Sequence, residues 1–298
     1  MAVLLDRQWE LDGSLLMGRG QFRDGTKYIV GTPEFGEADV RDDPTNAPRA
    51  DGQIWGRGHR GGRTITLEIT VDCYTKAEGR AAAAALEAAW DAESVRSVPG
   101  AVSVLRWNWA GEPRRVYGRT GKLAPTSTFD HQGRIDYVAE FNTVDNLYYG
   151  DSTAQLVVPF VPAQLGGLIG PQTGGWAATT AGIASGQLSV SGSKPAWLSW
   201  TVRGPIQQPT IELVGMWSAT LNTTIAYDQA ITVEPTPWAR GVRRVSDGAN
   251  FAGDFTATSQ RLSQMRVPPG TAQVLLRGFD PTGTSSVTTS VRPAHSTY

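Results

Sequence analysis

The chain is nearly without cysteine: Cys73 stands alone among 298 residues, so no intrachain disulfide and no cysteine-based zinc site can form. Histidine is equally scarce. His59, His131 and His295 are far apart in sequence, with no H-E-x-x-H and no pair at helical spacing, and there is no G-x-S-x-G elbow. No apolar run approaches the roughly 20 residues that a membrane-spanning helix needs. The longest candidate, around Ala81 to Trp90, is interrupted by Glu87. Met1 to Leu5, followed by Asp6, has neither the basic start nor the apolar length of a signal peptide, so a soluble protein outside the ordinary export route is expected.

An excess of either charge is missing too. The chain carries 27 Lys and Arg against 28 Asp and Glu, for a formal net charge of −1. Split after Gly150, the halves hold 18 basic to 21 acidic and 9 to 7, so neither is polarised toward nucleic acid or a membrane surface. What is present is apolar and aromatic material, 40% hydrophobic residues with 10 Trp, which excludes wholesale disorder.

Glycine (34) and proline (18) punctuate segments rich in Val, Ile, Thr, Trp and Tyr, the pattern of many short strands. The fold class is therefore mainly β. The clearest strand is Thr64 to Val71, where Ile65, Leu67, Ile69 and Val71 alternate with polar residues. Further strands are expected at 28–30, 102–109, 115–123 and 135–142, with turns at Gly111-Glu112-Pro113 and Asp130 to Gly133. One segment is helical: Thr75-Lys76-Ala77-Glu78 spells a capping box and opens an Ala-rich run to about Glu93. Ala82, Leu86, Ala89 and Trp90 share its packing face.

These elements suggest a β domain over 1–150, a linker or crossover over 151–175, and a β-sandwich of jelly-roll type over 176–298. Strands of the last are expected at 183–190, 196–203, 210–214, 218–227, 230–234, 240–245, 264–267, 272–277 and 286–291. Asp247-Gly248 reads as a type I′ hairpin and Pro268-Pro269-Gly270 as a tight turn.

Chemistry is hard to find in this pattern. Gly56, Gly58 and Gly61 match G-x-G-x-x-G, yet they lead into a strand, whereas phosphate cradling needs a helix N-terminus after the loop. Ser191 to Lys194 fits S-x-x-K without the companion K-T-G. Acidic residues of the second half, Glu212 and Asp228 among them, show no spacing that singles out an acid and a base for glycoside hydrolysis. No catalytic residue, metal ligand or cofactor is assigned, and the protein is not read as an enzyme. In Ala196 to Val202, Leu198, Trp200 and Val202 share one face, leaving Trp197 on the other as a candidate for stacking on a sugar ring.

The opening Trp9 to Gly13, Asp51-Gly52 ahead of Arg63 to Leu67, a single helix after that strand, and Asn146-Leu147-Tyr148-Tyr149-Gly150 resemble the distal tail proteins, a kind of minor tail protein, of long-tailed siphophages. Arg203 to Ile206, Pro209 to Ile211, and Pro268 to Thr271 leading to Leu275 to Gly278 are similar to the C-terminal, galectin-like domain of that family. The resemblance spans nearly the whole chain, and its weight lies in the order of weak motifs around one helix. It implies a structural virion protein at the distal end of the tail, assembled in the host cytoplasm. The N-terminal domain would form a hexameric ring joining the tail tube to the adsorption apparatus, and the C-terminal domain would project outward. Implied partners are further copies of itself, the major tail tube protein, the tape measure protein and the tail-tip hub or tail-associated protein. Of the 27 basic residues 23 are arginine, as in high-GC genomes, which suggests an actinobacterial host.

A ring repeats one heterologous contact by rotation. Glu37 to Pro44 is too polar for a core and too long for a turn. The segment Gly36 to Asp51 and the hairpin Arg57 to Arg63 are therefore the expected subunit contacts, through Glu37, Asp39, Arg41, Arg57, His59, Arg60 and Arg63. The alternative function is a carbohydrate-binding module that recognises host-wall glycans through Trp197.

Overall fold

The computed structural model describes residues 3–42, 44–46, 51–56, 58–129, 133–160 and 181–298. They fall into two compact units, Met1–Asp151 together with His295–Tyr298, and Ser152–Ala294.

The first unit contains β1 (Trp9–Leu11), β2 (Leu15–Met17), β3 (Tyr28–Val30), β4 (Glu34–Phe35), β5 (Val40–Arg41), β6 (Thr45–Asn46), β7 (Gln53–Ile54), β8 (His59–Arg60), β9 (Thr64–Asp72), β10 (Ser103–Trp109), β11 (Glu112–Phe129), β12 (Arg134–Thr143) and β13 (Tyr148–Gly150). Its main sheet runs β2-β1-β10-β11-β12-β9-β3. Backbone bridges from Gly18 and Arg19 to Ile29 join the two ends of that path, so the sheet nearly closes into a barrel. The period-two pattern of β9 is realised: Ile65, Leu67, Ile69 and Val71 are all buried, opposite Tyr137, Ala139 and Phe141 of β12. Each such side chain is worth about 1.5–3 kcal/mol of burial for the larger apolar types.

Helix α1 (Lys76–Asp91) packs on β9, β11 and β12. Thr75 caps it, its hydroxyl accepting the Glu78 amide at 3.2 Å, as the sequence motif requires. Leu86 and Trp90 are buried with Ala82, and the Tyr28 hydroxyl donates to the Ala82 carbonyl at 3.0 Å. At Gly79 a Cβ would stand 2.6 Å from the Gly133 carbonyl oxygen, so only glycine lets the first turn approach the start of β12. The helix ends where Ala92 turns left-handed (φ 43°), and a single further turn, α2 (Glu93–Arg96), follows.

Strand β11 is longer than its sequence suggests, because two register shifts against β12, at Thr120/Leu123 and Pro125/Ser127, let it carry a proline that a regular ladder would reject. The turn before it falls at Ala110 (φ 54°) and Gly111 (φ 81°), a two-residue type I′ hairpin, one residue ahead of the expected position. The Asp130 to Gln132 part of the next expected turn lies outside the described residues.

The barrel wall also holds a charged quartet. Arg106 on β10 and Arg115 on β11 have side chains only 3% and 4% exposed. Arg106 donates to both Asp151 oxygens, at 2.9 and 2.6 Å, and pairs with Glu10 on β1. Arg115 also holds Asp151, through its Nε at 2.9 Å. Two cations and two carboxylates leave no net buried charge, which is the condition under which burial is tolerated. Burial pushes the Asp151 carboxyl up, but the hydrogen bonds and charges of the two arginines outweigh it and hold the group below its ordinary 3.8.

The second unit contains β14 (Ala154–Pro159), β15 (Ala181–Val190), β16 (Ala196–Arg203), β17 (Ile206–Leu213), β18 (Trp217–Thr220), β19 (Thr224–Ile225), β20 (Ala230–Glu234), β21 (Gly241–Arg244), β22 (Arg266–Val267), β23 (Gly270–Phe279) and β24 (Ser286–Val291). They form two antiparallel sheets, β14-β24-β16-β20-β21 and β15-β23-β17-β18. Leu198, Trp200 and Val202 of one sheet and Val274 and Leu276 of the other are buried in alternation, as in a sandwich.

Three local expectations are corrected. Residues 154–159, expected in the crossover, form β14 and pair with β24, since Leu156 and Val158 supply a period-two inner face; 161–175 lie outside the described residues. The expected strand 218–227 breaks into β18 and β19. The cause lies in β17, where Gln208 (φ 47°) and Pro209 form a bulge, so β18 pairs with one side of it and β19 with the other. At Asp247-Gly248 only Gly248 has positive φ (71°), so the turn is not type I′, which requires it at both central residues.

Replacing Asp151 by Ala leaves the two buried arginines with Glu10 as the one remaining carboxylate of the quartet and is expected to cost about 3–5 kcal/mol of stability in denaturant titration. Because the folded carboxyl titrates below 3.8, its stabilising contribution is complete above that pH and is lost as pH falls through the depressed value, so the variant and the parent should converge in stability only in strong acid.

Candidate functional site

Between β4 and β9 the chain leaves the barrel and returns. The outgoing stretch forms β5 and β6, the returning one β7 and β8, and among the described residues they pair with each other alone: Val40 with Arg60, Arg41 with His59, Thr45 with Ile54 and Asn46 with Gln53. Among the described residues from Glu37 to Arg60, leaving Ile54 aside, the side chains are exposed except the half-buried Ala38. Val40 is 55% and Trp55 66% exposed. A two-stranded ribbon with no apolar layer beneath it is marginal in water, and its free edges invite pairing.

The base of this arm is built in the opposite way. Glu34 and Phe35 pair with Thr66 and Ile65, and the Gly36 amide donates to the Thr64 carbonyl at 2.9 Å. On the returning side the Arg63 amide donates to the Thr143 hydroxyl at 2.9 Å, and the Thr143 amide donates to the Arg63 carbonyl at 2.8 Å. Gly62 makes this possible, since a Cβ there would fall 1.9 Å from the Thr143 carbonyl oxygen. The Arg63 guanidinium donates to the Tyr148 hydroxyl at 2.6 Å and to the Asn146 carbonyl at 2.5 Å, and lies 4.4 Å from the centre of the Tyr148 ring. Burial pushes the Tyr148 phenol above its ordinary value, against the pull of Arg63.

Phe35 joins that base to an aromatic cluster. It stacks on Trp9 (6.2 Å between ring centres) and on Tyr298 (4.3 Å) and meets Tyr148 edge-on (5.8 Å), while Trp9 stacks on its cross-strand partner Trp107 at 5.1 Å. The result is an exposed arm clamped at a partly buried, hydrogen-bonded and aromatic root.

The structure thus divides the expected contact residues. Glu37, Asp39, Arg41, His59 and Arg60 stand on the exposed arm. Arg63 belongs to the root, where its head group is occupied by Tyr148 and Asn146. Arg57 lies outside the described residues. Trp55 was not singled out from sequence, although a Trp within the polar, Gly-rich stretch 51–62 was the available signal. The glycines of the G-x-G-x-x-G spelling flank β8 and lead into β9, and no helix follows them to receive a phosphate.

Trp197 corrects its expectation. It is 5% exposed, and Arg266 on the paired strand β22 lies 3.9 Å from its ring centre, covering the surface on which a sugar would stack. The alternation fails at this position because β22 adds to the end of β16 and brings Arg266 over the outer face. Glu212 is held by Arg277 at 2.8 Å, and Asp228 sits in a turn at φ 63°. Among the described residues no group of three or more His, Cys, Asp or Glu is placed to hold a metal ion, and no helix is long and apolar enough to cross a membrane.

The two-unit β architecture is shared with adsorption-apparatus and baseplate structures of bacteriophages. A solved structure of the SPP1 Dit (gp 19.1) protein, described as a paradigm of the hub adsorption apparatus in phages infecting Gram-positive bacteria, matches with a TM-score of 0.58 and 11% identity, over 96% of this chain and 98% of that one. A chain of the phage P2 baseplate in its activated conformation with Ca matches at 0.57 and 9%, over 97% and 98%. The corresponding Sr structure matches at 0.56 and 9%, over 95% and 97%. No family model matches the chain, and no curated protein does. At these identities the likeness is one of fold.

Trp197→Ala removes a buried indole and is expected to cost about 3–5 kcal/mol in thermal or denaturant unfolding. Soluble wall glycans are expected to leave the tryptophan fluorescence of the parent protein unchanged; saturable quenching lost in that variant would restore the sugar-stacking reading.

Proposed function

We propose that this protein is a structural component of a phage tail tip, a distal tail protein whose first unit assembles into a hexameric ring. The ring joins the tail tube to the adsorption apparatus, and the second unit, a galectin-like sandwich, projects from it. Its partners are further copies of itself, the tail tube protein, the tape measure protein and the tail-tip hub protein. It is assembled in the host cytoplasm and resides at the distal end of the virion tail.

The observation that carries this reading is the arm. A ribbon whose described side chains are exposed apart from the half-buried Ala38, held at a clamped base, is stable in a closed assembly in which a neighbouring copy covers it. The match of fold over 96% of the chain to a protein described as part of a hub adsorption apparatus supports the same assignment. The balanced charge of the chain fits a role in protein assembly rather than polyanion binding.

The test is the particle mass of the purified protein by light scattering, with negative-stain images of the same fraction. The expected species has six times the 32.0 kDa chain mass and a ring outline. A clean monomer at every accessible concentration, and also in the presence of the tail tube protein, would refute the ring.

A further inference from the structure

The seam that closes the barrel opens onto a cleft of about 230 Å³, lined by Arg7, Arg19, Arg23, Trp9, Gly31 and Trp109 among others. The seam itself is thin: its backbone ladder is the bridges from Gly18 and Arg19 to Ile29, with the Gly20 amide donating to the Thr26 hydroxyl at 3.1 Å beside them. Arg19 and Arg23 are exposed, and neither side chain has a carboxylate partner among the described residues. The nearby Asp24 carboxylate is spent on the Arg19 backbone amide (2.9 Å), the Thr26 hydroxyl (2.7 Å) and Gln8 (3.4 Å). Arg7 is held over the Trp109 ring at 5.5 Å, and its contact with Asp6 is loose, at 4.0 Å. Three guanidiniums on the rim of one cleft, two of them uncommitted, make a receptor for carboxylates rather than for a neutral ligand.

The chain carries the complementary element on its own arm. Glu37, Asp39 and Asp42 are exposed and make no ion pair among the described residues. Glu37 and Asp39 lie two residues apart as the chain enters β5, a spacing that in extended backbone puts both carboxylates on one face, at the root end of it, with Arg41 next along. Within one copy the arm and the cleft are held apart along β9: Arg19 bridges Ile29, whose partner is Thr70, whereas Gly36 is fixed at Thr64, six residues and about 20 Å further along the strand.

Building on the ring reading, we propose that the arginine cleft at the barrel seam is the docking site for the acidic face of the arm, Glu37 and Asp39, of a neighbouring copy. The contact is heterologous, since arm and cleft are different surfaces of one chain, and so repeats around a ring. Its exposed ion pairs are weakened by salt, with a screening length of about 8 Å at physiological ionic strength.

The experiment places one cysteine on each side, Arg19→Cys and Asp39→Cys, in the full-length chain. The native Cys73 is buried, and each single variant serves as its control. Under mild oxidation the double variant is expected to give a ladder of covalent multimers on a non-reducing gel, ending at the ring number, with both single variants stopping at dimer or below. A cross-linked monomer without a ladder would mean the arm folds onto its own cleft and would overturn the proposal. No cross-link in a sample whose mass is that of a ring would also overturn it, while leaving the ring intact. No cross-link together with a monomeric mass at every accessible concentration, and also in the presence of the tail tube protein, would remove the ring reading on which it rests. Independently, Arg19→Glu with Arg23→Glu should raise the concentration for half-assembly about tenfold or more, and adding Glu37→Lys with Asp39→Lys should restore it; failure of the second pair to rescue would count against the pairing.

Discussion

The first unit turns on Arg63. Its backbone ties the returning arm to Thr143, and its guanidinium ties that crossing to Asn146 and Tyr148. Tyr148 in turn meets Phe35 and Trp107, so one side chain couples the outgoing strand, the returning strand and the barrel wall. Gly62 and Gly36 are the backbone conditions for that coupling, since a Cβ at either would strike a carbonyl oxygen at 1.9 or 2.6 Å. A largely exposed ribbon keeps a defined direction only if its base is fixed, and this base is fixed from both strands. The arm's exposure and its orientation thus have a single origin, and the proposed function uses both.

The buried quartet of Glu10, Arg106, Arg115 and Asp151 does related work at the other side of the sheet. Asp151 is the last residue of the first unit before the chain passes into the second, and two buried arginines hold it there. A neutral pairing of this kind adds little net stability compared with an apolar filling, but it fixes geometry, because each member is costly to leave alone. The boundary residue is therefore pinned by charge, while the barrel interior around Leu86, Trp90 and Phe141 supplies the apolar stabilisation.

Legibility in the sequence followed the range of the interactions. The β9 strand and the helix from its Thr75 cap were readable because period, cap and packing face are local signals. The buried quartet was not, since Glu10, Arg106, Arg115 and Asp151 are far apart in sequence and look like ordinary surface charges until strand pairing assembles them. Trp197 was misplaced for the same reason: alternation gave it an outer face, and the strand that delivers Arg266 lies about seventy residues later. The arm was recognisable by its polarity as something other than core, but polarity alone did not separate Arg63, which anchors, from His59 and Arg60, which face outward. Nor did it reveal the arginine cleft, whose members come from four separate segments and meet where the barrel closes.

The central claim is that the arm is fixed at its base and covered by a neighbouring copy in the assembled particle. Hydrogen exchange, followed by mass spectrometry on peptides spanning β5 to β8, reads this directly when the assembled and the dissociated protein are compared. The account predicts fast exchange along the arm in the dissociated chain, protection of at least tenfold there on assembly, and unchanged protection at Thr64 to Val71 in both. Equal, fast exchange of the arm in both states would contradict it, because the ribbon would then be solvent-facing in the particle as well.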